Sequence, residues 1–249
     1  MHILKASIYC AVILSPAAVN AGDNRVDLKL LAGSSWQVNN DVQIPNSDLG
    51  TRFSLSDTVG EGPLTATRLE LNWMLNNKHG VRLLFAPLSY KEPIEFTEPQ
   101  QFNGESFAAN TPTIAGYRFN SWRVGYHYTL TNTQRTTLRV GATLKIRDAE
   151  IRLEQNGVVS ADDDLGVVPL FHIATERRLT DKWYIGADAD ALAGGPGRAI
   201  DAGITLGVKI TNNLRLGAEL RVLEGGADID RVYNFAQFNS ASLFIGNRW

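Results

Sequence analysis

The side chains able to do chemistry in this 249-residue sequence sit at alternate positions along short stretches, and three groups of them stand out. Asp188-x-Asp190 and Asp201 fall near the ends of two neighbouring stretches, where paired carboxylates can share a proton or position a water molecule. His172 and Glu176 share one face of another, and with a nearby serine they would form a hydrolytic dyad or triad. No Gly-x-Ser-x-Gly elbow accompanies them, so His172, Glu176, Asp188 and Asp190 form only an alternative catalytic set. The aspartate spacing lacks a metal-loop signature, and there is no zinc cluster or phosphate-cradling loop, so neither metal nor cofactor is expected. The formal net charge of −2 gives no electrostatic footprint for nucleic acid.

The third group is the largest: Arg68, Glu70, Arg82, Arg123, Arg139, Lys145, Asp188, Asp201, Lys209, Arg215, Glu219 and Arg221. Each alternates with apolar neighbours, as Ile200, Ala202, Ile204, Leu206 and Val208 alternate with Asp201, Gly203, Thr205, Gly207 and Lys209. A period of two places the sets on opposite faces of a strand. In a two-sheet sandwich the charges would face solvent and the Leu214–Val222 stripe would be core. In a closed cylinder the charges meet in the lumen, where pairing is expected because an unpaired buried charge is costly.

Ten such strands can be read, placed at about 26–37, 65–75, 81–88, up to 130, from 138, 165–176, 183–190, 200–210, 214–222 and 232–249. Pro87 predicts a bulge, since proline cannot donate to the ladder. Beyond Asp148 the apolar set changes phase to Ile151 and Leu153, which predicts a one-residue bulge there. The connections after the even-numbered strands are tight. Those after the first, third, fifth and ninth read as longer and polar: 38–64, 97–112, 155–164 and 224–230. Residues 38–64 are expected either to add a small hairpin or to fold into the lumen. Trp73, Tyr126, Tyr128, Trp183 and Trp249 cluster at the tight-turn ends of outward faces, as a membrane-interface girdle would.

Residues 1–21 have the plan of a removed secretory signal: Lys5, an apolar stretch Ala6–Val19, and the small-x-small site Val19-Asn20-Ala21. The sole cysteine, Cys10, lies inside it, which leaves the remaining chain without thiols. No continuous apolar run reaches spanning length, so any membrane crossing must be made by strands.

The last ten residues, Ser240-Ala241-Ser242-Leu243-Phe244-Ile245-Gly246-Asn247-Arg248-Trp249, alternate and end on an aromatic. This stretch resembles the closing strand of bacterial outer-membrane β-barrel proteins, although Asn247 stands where that family more often has a large apolar residue. The resemblance implies an all-β, closed antiparallel up-and-down transmembrane barrel of about ten strands over residues 22–249. It also implies a location in the outer membrane, contact with its lipids, and an assembly signal at Leu243, Ile245 and Trp249 read by the barrel-assembly machinery. The expected role is non-enzymatic: structural, a narrow porin-like pore, or surface binding. The alternative is an outer-membrane hydrolase, lipid-modifying or similar to the omptin proteases, which use aspartates and a histidine at the external rim. Here Asp188, Asp190 and Asp201 are expected at the external mouth, with no histidine at their level.

Overall fold

The computed structural model describes residues 25–195 and 197–249. The expected signal segment 1–21, with Cys10 and Val19-Asn20-Ala21, lies outside the described residues, as does Pro196. In chain order the elements are β1 (Arg25–Gln43), β2 (Phe53–Ser54), α1 (Leu55–Val59), β3 (Leu64–Met74), β4 (His79–Ala86), β5 (Ser89–Ile94), β6 (Gln100–Phe102), β7 (Glu105–Phe107), β8 (Thr113–Asn132), β9 (Thr136–Gln155), β10 (Val158–Arg178), β11 (Trp183–Gly194), β12 (Gly197–Lys209), β13 (Leu214–Ile229) and β14 (Val232–Arg248).

With β4 and β5 counted as one interrupted strand, ten strands each pair with the next in sequence, and β14 returns to pair antiparallel with β1. That seam runs from Asp27↔Arg248 to Gln43↔Tyr233, and beyond it Val26 and Trp249 exchange backbone hydrogen bonds of 3.2 and 2.9 Å. Among the described residues, closure pairs every strand on both sides in the half of the cylinder nearer Val26 and Trp249. No edge there lacks the hydrogen-bond partners that hydrocarbon cannot supply, whereas toward the other end β5 pairs only with β8.

One end of the cylinder carries four tight turns built by a common device. Asn76 Oδ1 accepts from the backbone N–H groups of Lys78 and His79, both at 2.9 Å. Thr133, Thr180 and Thr211 do the same with their hydroxyls, receiving Thr136 N, Trp183 N and Leu214 N at 2.9, 3.0 and 2.9 Å. Short polar side chains that mimic a backbone turn stop each strand abruptly. We call this the turn end, and the opposite one the loop end.

At the loop end two of the expected long connections are tight. Asn156 and Gly157 adopt φ of 51° and 84°, the two left-handed positions of a type I′ hairpin, so 155–164 is not a loop and Asp162–Asp164 lie within β10. Residues 224–229 likewise belong to β13, and β14 begins three residues after it ends, at Val232. The chain length read as loop is instead strand. β8 and β9 have 20 residues and β10 has 21, whereas about 9–11 suffice to cross hydrocarbon. The barrel therefore continues well past an apolar band.

The long strands also explain the apparent phase change at Asp148. The β8–β9 and β9–β10 registers run through it without a shift, so no bulge occurs there. Arg147, Ile151 and Leu153 all face inward, but the chemistry of the two faces is exchanged. Toward the turn end, outward Val124 and Leu144 are about half exposed while inward Arg123 and Lys145 are buried. Toward the loop end, Ile151 and Leu153 are buried inside, and Arg118 pairs outside with Asp148 at 3.1 Å. The lower part is built like a membrane protein and the upper part like a soluble one. Pro87 also causes no bulge: β4 and β5 pair β8 in one continuous register, and Asn120 Oδ1 accepts from Leu88 N at 3.2 Å across the interruption. The actual register shifts fall between Gln37 and Asn39 and between Thr129 and Thr131.

The interior of the loop-end half is an apolar core. Residues 38–43 extend β1, and 44–64 fold over and into the cylinder: Ile44, Phe53 and Leu55 are buried with Val42 of β1, and α1 is capped by Ser54 Oγ, which accepts Asp57 N at 3.1 Å. The β6–β7 hairpin, turned by Asn103 and Gly104, delivers Phe102 and Phe107, both fully buried. They meet Tyr90, Tyr117, Leu153 and Phe238 from the barrel wall.

Glycines on the inner wall of the turn-end half let large side chains lie flat against it. A Cβ at Gly207 would overlap the Tyr184 ring, and one at Gly217 would overlap Phe244.

Candidate functional site

Below the apolar core, the inward charges form one connected network. Asp190, wholly buried, receives Arg82 at 2.9 Å, Arg123 at 2.6 Å, Thr143 at 3.2 Å and His172 Nδ1 at 2.7 Å. Arg123 bridges to Asp201 at 2.5 Å, which also receives Arg68 at 3.1 Å and Arg221 at 2.5 Å. Arg68 holds Glu70 at 2.5 Å. Arg221 binds Asp188 at 2.8 Å and Glu219 at 2.7 Å, and Lys29 caps Glu219 at 2.5 Å. The five cations Lys29, Arg68, Arg82, Arg123 and Arg221 thus face the five carboxylates Glu70, Asp188, Asp190, Asp201 and Glu219. The set is electrically balanced and its members come from β1, β3, β4, β8, β11, β12 and β13.

Two expectations about the alternative catalytic residues are corrected. Asp190 and Asp201 do not stand at an open external mouth; they are buried at mid-barrel, because the loop-end strands rise above them and the aromatic core covers them. A histidine is present at their level, since β10 and β11 pair His172 with Asp190. The resulting pair is not free to act on a substrate from the loop end. Asp190 already accepts from four side chains, and His172 Nδ1 lies between Asp190 and an Arg82 nitrogen at 3.1 Å.

A second, smaller set lies nearer the turn end. Arg215 and Arg248 both bind Asp27, the latter at 2.8 Å, and both lie 3.7 Å from Glu176. Glu176 is therefore brought to arginines rather than to His172. Of the other predicted lumen residues, Lys145 lies over the Phe119 ring at 4.4 Å, and Arg139 and Lys209 line a cavity of about 290 Å³ that opens at the turn end. Asp27, Lys29, Asp190 as a hub and Arg248 were not singled out for the network by sequence. Asp27 and Lys29 do sit at alternate positions on the mixed face of the first strand.

The outer surface of the turn-end half is apolar. Leu220, Ile204, Leu243 and Phe171 are 67%, 59%, 72% and 74% exposed, a burial pattern that only a nonaqueous surround or a covering partner makes favourable. Trp73, Tyr126 and Trp183 project outward near the tight turns, with Tyr128 and Trp249 at the same end; the Tyr126 hydroxyl meets His79 Nδ1 at 2.5 Å. A further outward aromatic pair, Phe85 and Trp122, stacks at 6.1 Å toward the loop end. Leu243 and Ile245 lie outward on β14 beside β1 and β13. At the far tip of the loop end, Arg231 binds Asp162 at 2.6 Å, while partial burial pushes the Asp162 carboxyl above its ordinary range.

Among solved structures, the chain is similar to the outer-membrane protease OmpT of Escherichia coli: 9% identity, 90% of this chain and 97% of that one, TM-score 0.55. The translocator domain of the autotransporter NalP from Neisseria meningitidis matches at 13% identity over 92% and 90% of the two chains, TM-score 0.45. The attachment invasion locus protein Ail of Yersinia pestis matches at 12% identity over 90% and 99%, TM-score 0.38. No curated protein matches the sequence. Residues 107–223 match a family described as a protein of unknown function, DUF481. At this identity the likeness to OmpT is one of fold. The chain has the closed, antiparallel, ten-stranded fold of the bacterial outer-membrane β-barrels.

Proposed function

We propose that this protein is an integral outer-membrane barrel with a closed lumen, a membrane anchor that carries a rigid, water-compatible upper half beyond the bilayer, not a conduit through it. On this reading residues 1–21 direct export, the turn end faces the periplasm, and the loop end faces outward. The apolar band meets lipid, and Leu243, Ile245 and Trp249 on β14 present the assembly signal. The observation that carries the proposal is that the cross-section is blocked twice, by the neutral charge network and by the core around Phe102 and Phe107. Barrels of about eight strands are filled by their side chains, and aqueous channels appear at about sixteen. The outward-facing role this supports is surface binding or envelope architecture, with no turnover at Asp190.

Reconstitution into planar bilayers tests it. Insertion verified by protease protection should give no resolved conductance steps across salts and pH, and reproducible steps from the wild type would overturn the closed reading. Loss of a lipid- or peptide-hydrolysing activity in His172→Ala would overturn the non-enzymatic one.

A further inference from the structure

Charge balance holds in the mid-barrel network and in the Asp27–Glu176 set, but fails at the turn end. Besides the network members Lys29, Arg82, Glu70 and Asp188, seven lysine and arginine side chains line the turn-end cavity against two carboxylates. Both carboxylates nearest the opening, Asp27 and Glu176, are engaged by Arg215 and Arg248. Arg135, Arg139, Arg178 and Lys209 have no carboxylate oxygen within 4.0 Å among the described residues, yet all four face the same space. Buried polar atoms on its walls are also without partners: Arg139 Nε, Thr129 Oγ1 and Arg215 Nε, the last on a side chain only 8% exposed.

We propose that this cavity is a binding site for a small multivalent anion of phosphate or phosphate-ester chemistry. Guanidinium forks match the geometry of phosphate oxygens, and a lysine adds a point charge. A dianion offers enough acceptors for several of these donors at once, whereas a monovalent carboxylate would leave most of the positive charge uncompensated. The volume of about 290 Å³ admits a phosphate with a few attached atoms and excludes a folded peptide or an oligosaccharide. The side from which the ligand arrives rests on the orientation proposed above; the site itself does not. Two sources share this chemistry, a free phosphate ester in the periplasm and the headgroup of an anionic lipid in the adjoining leaflet.

The test is calorimetric titration of the full chain in nonionic detergent with inorganic phosphate, with glycerol 3-phosphate and with short-chain phosphatidic acid. Saturable one-to-one binding is expected, weakened at least about tenfold in the Arg139→Gln/Lys209→Gln variant and unchanged in Arg198→Gln, which alters a loop-end arginine. Binding of the soluble phosphates assigns the source as solute, and binding of phosphatidic acid alone assigns it as headgroup; both support the site. Absence of saturable binding to any of the three overturns it, as does equal binding by wild type and double variant. Should the double variant fail to close, as judged by loss of a heat-dependent gel shift, the wild type still decides. Phosphate must then slow acylation of Lys209 measured by mass spectrometry, and an unaltered rate overturns the proposal. Silence in planar bilayers bears on the closed lumen alone, so the two readings fail separately.

Discussion

Asp190 holds together more of the lumen than any other single side chain, and its replacement has a definite expected effect. Asp190→Asn keeps the shape but leaves Arg82 and Arg123 facing a neutral amide inside a water-poor space. Breaking a buried pair by removing one partner typically costs about 3–5 kcal/mol. The variant should therefore lose its folded gel mobility at a markedly lower temperature or urea concentration, and stability equal to wild type would show that water reaches the network. Which charges point inward was legible from alternation alone, because each strand's period of two fixes its faces. Their height in the barrel was not. Asp188, Asp190 and Asp201 read as rim residues because the polar stretches 155–164 and 224–230 read as loops, whereas the strands there rise several residues further. The His172–Asp190 contact was hidden for the same reason, since it depends on cross-strand register, which residue types on one strand do not encode.

At the scale of the element, β9 is the most instructive strand. Its apolar residues appear to change face at Asp148 because the surroundings change. Outside, lipid-compatible surface gives way to water-compatible surface; inside, ion pairs give way to aromatic core. Cysteine substitution distinguishes this from a bulge, for which the two positions would exchange behaviour. Arg152→Cys should react with a membrane-impermeant maleimide applied to intact cells, and Leu153→Cys should not. The Asn156-Gly157 pair that turns this hairpin was visible in the sequence as the strongest short hairpin signal, yet it was submerged in a polar stretch read as a loop. Within the plug, Phe102→Ala should destabilise the loop-end half by about 3–5 kcal/mol, read as faster proteolysis of the 95–112 segment with the turn-end half still protected.

For the whole molecule, the decisive property is that inside and outside are set by surroundings of opposite polarity. Leu220 is 67% exposed on the apolar band, and Leu220→Arg there should cost about 2–4 kcal/mol if lipid covers it. Urea titration in vesicles against the same titration of the wild type measures the difference. A harmless Leu220→Arg would mean that the band is not in hydrocarbon. The fold as a whole was legible because every strand repeats the same alternation and four turns capped by short polar side chains fall at one end. The extent of the upper half was not, because a strand with an apolar inside and polar outside alternates just like one with the reverse.

The inner-wall glycines bear on how such a chain can change over generations. Tyr184 fills the notch at Gly207 and Phe244 the one at Gly217, so each pair occupies one shared volume on neighbouring strands. Gly207→Ala should be tolerated only alongside a smaller residue at 184. Homologues are then expected to alter the two positions in concert, like a key recut whenever its lock is.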